Sequence, residues 1–109
     1  MRVWDVDPQK LCRKHLLGEH MEIHALFTIL HEDRTGYRNH PETLRWVGKL
    51  PALAMRHDRV VDEMIRRGYG HRSPLPLADG ESVQAAFLIT VEEQEALLTS
   101  KPCDCLLPM

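Results

Sequence analysis

The fold is decided by residues 8–31, which read PQKLCRKHLLGEHMEIHALFTILH. Asp7 and Pro8 mark a helix start, because an Asp side chain accepts hydrogen bonds from free backbone N–H groups and proline suits the first helical position. Gly18 is a weak point that permits close packing or a bend. The pattern predicts one long N-terminal helix over 8–31. Its apolar residues recur at helical spacing: Leu11, Leu16, Ile23, Leu26, Phe27 and Leu30.

Three shorter helices are predicted after the long one. His40 and Pro41 begin the first, Gly68 ends the second, and Thr90 with Glu93 forms a capping box before the third. These helices are expected over 40–47, 50–67 and 90–100. No segment has the pattern of a strand. The sequence therefore predicts an all-α fold: a compact bundle of three to four helices with a long N-terminal helix and an irregular C-terminal tail, in a single domain over 1–109.

Composition limits the classes of protein to consider. The hydrophobic fraction is 43%, as in ordinary globular domains. No apolar run approaches the roughly 18 residues that a membrane span needs, and the first ten residues have no apolar signal core. Three cysteines without framework spacing argue against a secreted disulfide scaffold. We therefore expect a cytoplasmic protein with no membrane contact.

Charge is distributed unevenly along the chain. The net charge is -2, yet residues 34–72 hold nine cations against four acids, while acids concentrate in the last third. A chain that is acidic overall can still present a basic face to nucleic acid. The nine cations are Arg34, Arg38, Arg45, Lys49, Arg56, Arg59, Arg66, Arg67 and Arg72.

Histidines and cysteines raise the question of a metal site. His20, His24 and His31 share one side of the first helix, and two histidines at i and i+4 can bind a metal. The sequence reads HMEIH rather than HExxH, and no further ligand is evident, so a polar helix face is the favoured interpretation. Cys103 and Cys105 are interpreted as incidental cysteines of a solvated tail. No metal or cofactor is predicted.

Glu22 is a candidate for acid–base chemistry. It lies seven residues after His15 and three after Glu19, so the three share a helix side that also holds Leu26. A carboxylate among apolar and like-charged neighbours can have a raised pKa.

Three blocks of sequence resemble one known family. Residues 1–23, MRVWDVDPQKLCRKHLLGEHMEI, resemble the start of the phage-type pyrimidine-dimer DNA glycosylases, also called phage endonuclease V. Residues 49–69, KLPALAMRHDRVVDEMIRRGY, are similar to that family's third helix, and 87–102, FLITVEEQEALLTSKP, to its late helix. The resemblance covers about 1–102.

The resemblance implies an all-α, metal-free enzyme that acts on damaged double-stranded DNA. In that family the terminal α-amine attacks C1′ of the damaged nucleotide, a Schiff base forms, and β-elimination cleaves the strand. The amine here would be that of Met1, which is retained because Arg2 is bulky. An α-amine has an unperturbed pKa of about 8, so at pH 7 part of the amine population is neutral and can act as a nucleophile. Glu22 takes the place of the family's catalytic Glu.

Further DNA contacts are predicted from the same resemblance and from the basic segment. Arg2 would contact a phosphate beside the lesion, and His15 matches a family histidine next to the site. Arg56 and Arg67 are predicted as additional DNA-binding residues. The protein is expected to act as a monomer.

Two departures keep other functions open. The family carries arginines where this chain has Met21 and Ala25, and its aromatic, basic tail is replaced here by CDCLLPM. A non-catalytic helical module that binds DNA or protein is the main alternative, and a histidine-based metal protein is a third.

Overall fold

The computed structural model describes residues 3–36, 38–71, 73–101, 103 and 105. A 3-10 turn, Pro8–Lys10, precedes four α-helices. These are α1 Arg13–His31, α2 Pro41–Leu44, α3 Leu50–Arg66 and α4 Val91–Thr99. The described residues contain no strand. The predicted all-α fold with a long N-terminal helix is therefore confirmed.

The predicted continuous helix over 8–31 is wrong at its start. Leu11 and Cys12 are extended between the 3-10 turn and α1. The backbone N–H of Cys12 donates to Cys105 Sγ at 3.0 Å, and Leu11 is buried. This contact with the tail and the burial of Leu11 turn the backbone away from a helical path. Gly18 causes no interruption, since α1 runs through it.

Packing of α1 against α3 builds the core. Each helix turns an apolar stripe inward, and burial of one large apolar side chain contributes about 1.5–3 kcal/mol. Trp46, just after α2, joins this core, and its indole N–H donates to Glu42 Oε1 at 3.0 Å. The largest buried contributors from the two helices are Leu16, Ile23, Leu26, Phe27, Leu53, Val60 and Met64.

Two glycines with positive φ shape the connection between α3 and α4, Gly68 at its start and Gly80 near its middle. Gly68 has φ 90° and donates to the carbonyl of Ile65, while Tyr69 donates to that of Met64. This is the Schellman pattern, in which a residue with positive φ satisfies the last carbonyls of a helix. Gly80 has φ 140° and lies against the backbone of Gly48. The connection is thereby held on α3, and Gly68, predicted as the end of this helix, is confirmed.

Both ends of the chain pack onto α1 in the part that the structure describes. Val3, Trp4 and Val6 are buried, and so is Cys105. The predicted capping box of Thr90 and Glu93 is present at the start of α4. Within the described residues, no helix combines the length and apolar character that crossing a bilayer requires.

Candidate active site and the histidine and cysteine clusters

The start of the chain is fixed against the first half of α1. The carbonyl of Val3 accepts a hydrogen bond from Arg45 Nη2 at 2.7 Å, and Asp5 pairs with Arg45 Nη1 at 3.2 Å. The backbone N–H of Trp4 hydrogen-bonds with the Glu19 carboxylate. These contacts bring the first described residues to the middle of α1. Met1 and Arg2, predicted as nucleophile and phosphate contact, lie outside the described residues.

Glu22 lies one helical turn beyond Glu19. It is half-buried, between buried Ile23 and Leu26 and exposed Met21 and Ala25. The residue therefore lies at the boundary between core and solvent.

Glu19 and Arg56 form a buried ion pair between α1 and α3. Arg56 Nε and Nη2 donate to the Glu19 carboxylate at 2.6 and 2.9 Å, and Nη1 donates to the carbonyl of Val6 at 2.8 Å. Burial raises the pKa of Glu19, and the hydrogen bonds from Arg56 act in the opposite direction. The structure thus gives Arg56 a role inside the protein, and its contact with DNA stays a prediction.

Arg67 also works within the protein. Its Nε donates to Glu63 at 2.6 Å, and Nη2 donates to the carbonyl of Leu11 at 2.6 Å. The side chain is 11% exposed. Arg67 therefore joins the end of α3 to the extended segment before α1, and its predicted DNA contact also stays a prediction.

His15 belongs to a cysteine cluster that consists of Cys12, His15, Cys103 and Cys105. The four ligand atoms lie within 4.8 Å of one another. His15 Nδ1 is 3.1 Å from Cys12 Sγ and 3.2 Å from Cys105 Sγ. One edge of the cluster meets Trp4, whose ring centroid is 6.0 Å from that of His15.

The thiols of this cluster differ in acidity. Burial raises the pKa of the Cys105 thiol to about 12. Burial also acts to raise the pKa of Cys12, but hydrogen bonds from the backbone of His15 and from the other two thiols outweigh it and lower that pKa. Cys105 is 5% exposed, so the interpretation of the tail cysteines as solvated is wrong at this residue.

A second cluster unites His20, His24, His57 and His71, and we call it the four-histidine cluster. One ring nitrogen from each lies within 4.8 Å of the others. His24 Nε2 is 3.2 Å from His57 Nε2, and His20 Nε2 is 3.1 Å from His71 Nε2. Burial, followed by the charges of the other three rings, lowers the pKa of His20 to about 4.

This cluster changes the interpretation of the histidines on α1. His20 and His24 face α3 and the α3–α4 connection rather than solvent alone, whereas His31 is exposed, next to the ring of Phe27. His57 lies among the apolar positions of α3, so helical spacing could have pointed to it. Only the folded connection brings His71 to the other three.

A family model described as pyrimidine dimer DNA glycosylase matches residues 1–77 of the chain. The chain belongs to this family. No curated protein and no solved structure matches it. The matched part contains the predicted site residues from Met1 to Arg67 and all four histidines of the cluster. The last block of the resemblance, α4 and the two tail cysteines lie beyond it.

In a family named for DNA glycosylases, the basic side chains that lie at the surface are of interest, because cations bind the phosphates of DNA. Arg45 and Arg56 are buried, so the basic segment over 34–72 contributes less to the surface than its composition suggests. Arg34, Arg59 and Arg66 are exposed on it, while Arg13 and Lys14 are exposed where α1 begins. Arg13 also stacks on Tyr69, 5.8 Å from the ring centroid. These side chains are open to solvent, whereas Arg45 and Arg56 lie inside the fold.

Proposed function

We propose that the protein is a DNA glycosylase with AP-lyase activity that excises a damaged pyrimidine, first of all a cyclobutane dimer, from double-stranded DNA. The observation that carries the proposal is the family match, which begins at residue 1 and includes both Met1 and Glu22. In this proposal the α-amine of Met1 is the nucleophile and Glu22 the assisting carboxylate.

The anchoring of the chain start supports this assignment. Trp4 is held at Glu19, and Glu22 follows Glu19 by three residues, about 4.5 Å along the helix axis. Three extended residues span about 10 Å, so the chain before Trp4 is long enough for the proposed Met1 amine to approach Glu22. An amine and a carboxylate that can approach the same sugar are what the chemistry requires.

The reaction follows from these two groups. The neutral amine attacks C1′, the glycosidic bond breaks, and the base leaves with a proton. The C1′–O4′ bond then opens, O4′ takes a proton, and a protonated imine forms between the amine and C1′. On an abasic site the same imine forms when the amine adds to the C1′ aldehyde and water is lost. Removal of a C2′ proton then expels the 3′ phosphate and cuts the strand. The Glu22 carboxylate stabilises positive charge at the sugar and transfers protons.

Borohydride trapping tests the proposal. We expect reduction to yield a covalent adduct on duplexes with a dimer or an abasic site, but none on undamaged DNA. Acetylation of the N-terminus should abolish the adduct. Glu22→Gln should bind dimer DNA and fail to release the base, while the matched control Glu32→Gln, at the exposed end of the same helix, keeps activity. An adduct that survives acetylation, or full activity in Glu22→Gln, would overturn the assignment.

A non-catalytic DNA-binding member is the second candidate. Met21, 72% exposed, and Ala25 stand on the surface of α1 where the resemblance places phosphate-binding arginines. Without these phosphate contacts the DNA would be held less firmly at Glu22, which favours a member that keeps the helical fold but not base removal. Salt-dependent binding to duplex DNA without any trapped adduct would support this candidate over the enzyme.

A further inference from the structure

We propose that the four-histidine cluster is a transition-metal site that holds Zn²⁺ through one nitrogen each of His20, His24, His57 and His71. The site is separate from the proposed glycosylase chemistry and does not depend on it. Two independent features carry the proposal: the convergence of the four rings, and the hydrogen bonds on the outer sides of His24 and His57.

The spacing of the nitrogens suits a tetrahedral ion. With Zn–N distances of about 2.0–2.1 Å, neighbouring ligand nitrogens of a tetrahedral site lie about 3.3 Å apart. The two measured nitrogen pairs are 3.2 and 3.1 Å apart. All four ligand atoms lie within 4.8 Å, so small rotations of the rings complete the tetrahedron.

The outer hydrogen bonds turn lone pairs toward the centre. His57 Nδ1 is 3.0 Å from Asp58 Oδ1, so Nδ1 carries the hydrogen and Nε2 presents its lone pair. The ring of His24 also donates to the backbone of Ser73, which draws its hydrogen to that side. Two lone pairs that face each other at 3.2 Å repel unless a cation lies between them.

Asp58 gives His57 the second partner that metal-ligating histidines usually have. Such histidines donate their other ring N–H to a carboxylate or carbonyl, which fixes the ring and strengthens it as a ligand. His57 is 1% exposed, so its ring is held firmly in place.

The position of the ligands indicates what the metal does. Two ligands come from α1, one from α3 and one from the α3–α4 connection, which otherwise has few buried residues. Four protein ligands leave no open position, which is typical of a structural zinc site. A cavity of about 560 Å³, lined in part by His57, Asp58 and His71, gives the ion a path from solvent.

Metal content measured by elemental analysis tests this site. We expect His71→Ala, a change in a loop that should not prevent folding, to lose one equivalent of metal. His31→Ala, on α1 but outside the cluster, should keep it. A folded His71→Ala protein with the same metal content as wild type would overturn the proposal. Added Zn²⁺ should also raise the melting temperature of chelator-treated wild type by more than that of chelator-treated His71→Ala, which keeps only the cysteine cluster; an equal rise in both would contradict it.

A separate observation leads us to infer a second zinc site, in the cysteine cluster. Three thiols and one imidazole, Cys3His, form a common structural zinc ligand set. His15 Nδ1 lies between Cys12 and Cys105, and the three cysteines are free. The Cys12 backbone N–H donates to Cys105 Sγ, as backbone amides do to metal-bound thiolates.

This second site would fix the tail to the start of α1. Cys12 and His15 flank the first turn of α1, and Cys103 and Cys105 lie in the tail, so the ion closes a loop of about 90 residues. A metal that closes so long a loop stabilises the fold chiefly by restricting the unfolded chain. It would also hold Trp4 beside His15, near the start of the chain.

Cobalt substitution separates the two sites. Co²⁺ bound by Cys3His should give a thiolate-to-metal charge-transfer band, whereas four histidines give none. We expect the Cys103→Ser variant to show a weaker band. The His71→Ala variant should show the same band as wild type. Thiol titration should find three cysteines protected until a chelator is added. Two results would overturn this second site. One is a protein mass that is two hydrogens lower than the sequence requires, which reveals a disulfide; the other is three thiols that react before any chelator is added.

Discussion

The guanidinium of Arg56 holds the carboxylate of Glu19 through two hydrogen bonds, of 2.6 and 2.9 Å, across the interface between α1 and α3. Neither side chain is more than 7% exposed. Breaking such a pair from one side leaves an uncompensated buried charge, which is far more costly than replacing both partners.

Arg56→Met should lower the free energy of unfolding by about 3–5 kcal/mol. The double variant Glu19→Leu with Arg56→Met should be less destabilised than the sum of the two single variants, because it leaves no orphaned charge. Urea unfolding of the four proteins measures this. Additive losses would show that the pair does not interact. Loss of salt-dependent DNA affinity in folded Arg56→Met would instead support the predicted DNA contact.

The sequence predicted the helices well where local signals decide them. The Schellman pattern at Gly68 and the capping box at Thr90 depend on neighbours in sequence, and both are present. The break before α1 could not be predicted, since it depends on a hydrogen bond between Cys12 and Cys105, 93 residues apart.

The site was harder to predict because sequence shows charge and residue type but not burial. Arg56 and Arg67 look like surface cations in the sequence, yet each pairs with a buried glutamate. The sequence groups His20, His24 and His31 on one helix side, but in the structure only the first two join a cluster. Their partners His57 and His71 come from elements that only the fold brings near.

Arg45 should control the proposed activity through the start of the chain. It contacts Val3, Asp5 and Glu42 from a buried position. Arg45→Lys cannot reproduce these directed bonds, so we expect a loss of about 1–3 kcal/mol of stability and slower borohydride trapping on abasic DNA. Arg38→Lys, which changes a surface cation paired with Asp33, should trap at the wild-type rate. Equal trapping rates in the two variants would show that Arg45 does not affect the proposed active site.

Glu63 should make stability sensitive to acid. Hydrogen bonds from Arg66, and then from Arg67, outweigh the effect of burial and lower the pKa of this carboxyl. The unfolded chain then binds the proton more readily than the folded one. The contribution of Glu63 is therefore full above the ordinary pKa of 4.5 and is lost as the pH falls through the lowered folded value.

Glu63→Gln should thus cost about 1–3 kcal/mol at pH 7 and progressively less in acid. Chemical denaturation of both proteins across this range measures the difference. Glu95→Gln, which breaks an exposed pair with Lys10, should cost less than about 1 kcal/mol. A cost for Glu63→Gln that does not change with pH would show that the carboxylate charge is not what stabilises the end of α3.

Gly80 should tolerate no side chain, because backbone occupies the space that a Cβ would need. That Cβ would lie 2.6 Å from the carbonyl oxygen of Gly48, and the φ of 140° is itself unfavourable for other residues. The adjacent Glu81 N–H donates to the same oxygen at 2.8 Å, and the Glu81 carbonyl accepts from Ala52 at 3.1 Å. Displacement of Gly80 would therefore break the hydrogen bonds that hold the connection to the start of α3.

We expect Gly80→Ala to lower the free energy of unfolding by about 2–4 kcal/mol, the sum of backbone strain and one or two lost hydrogen bonds. Gly70→Ala is the matched control in the same connection, since its Cβ would meet nothing within 4 Å. Thermal unfolding of the two variants compares them. If both melt at the wild-type temperature, the connection is not held at Gly48. If only Gly80→Ala melts lower and also exchanges the amide of Ala52 faster, this contact is what keeps the connection on α3.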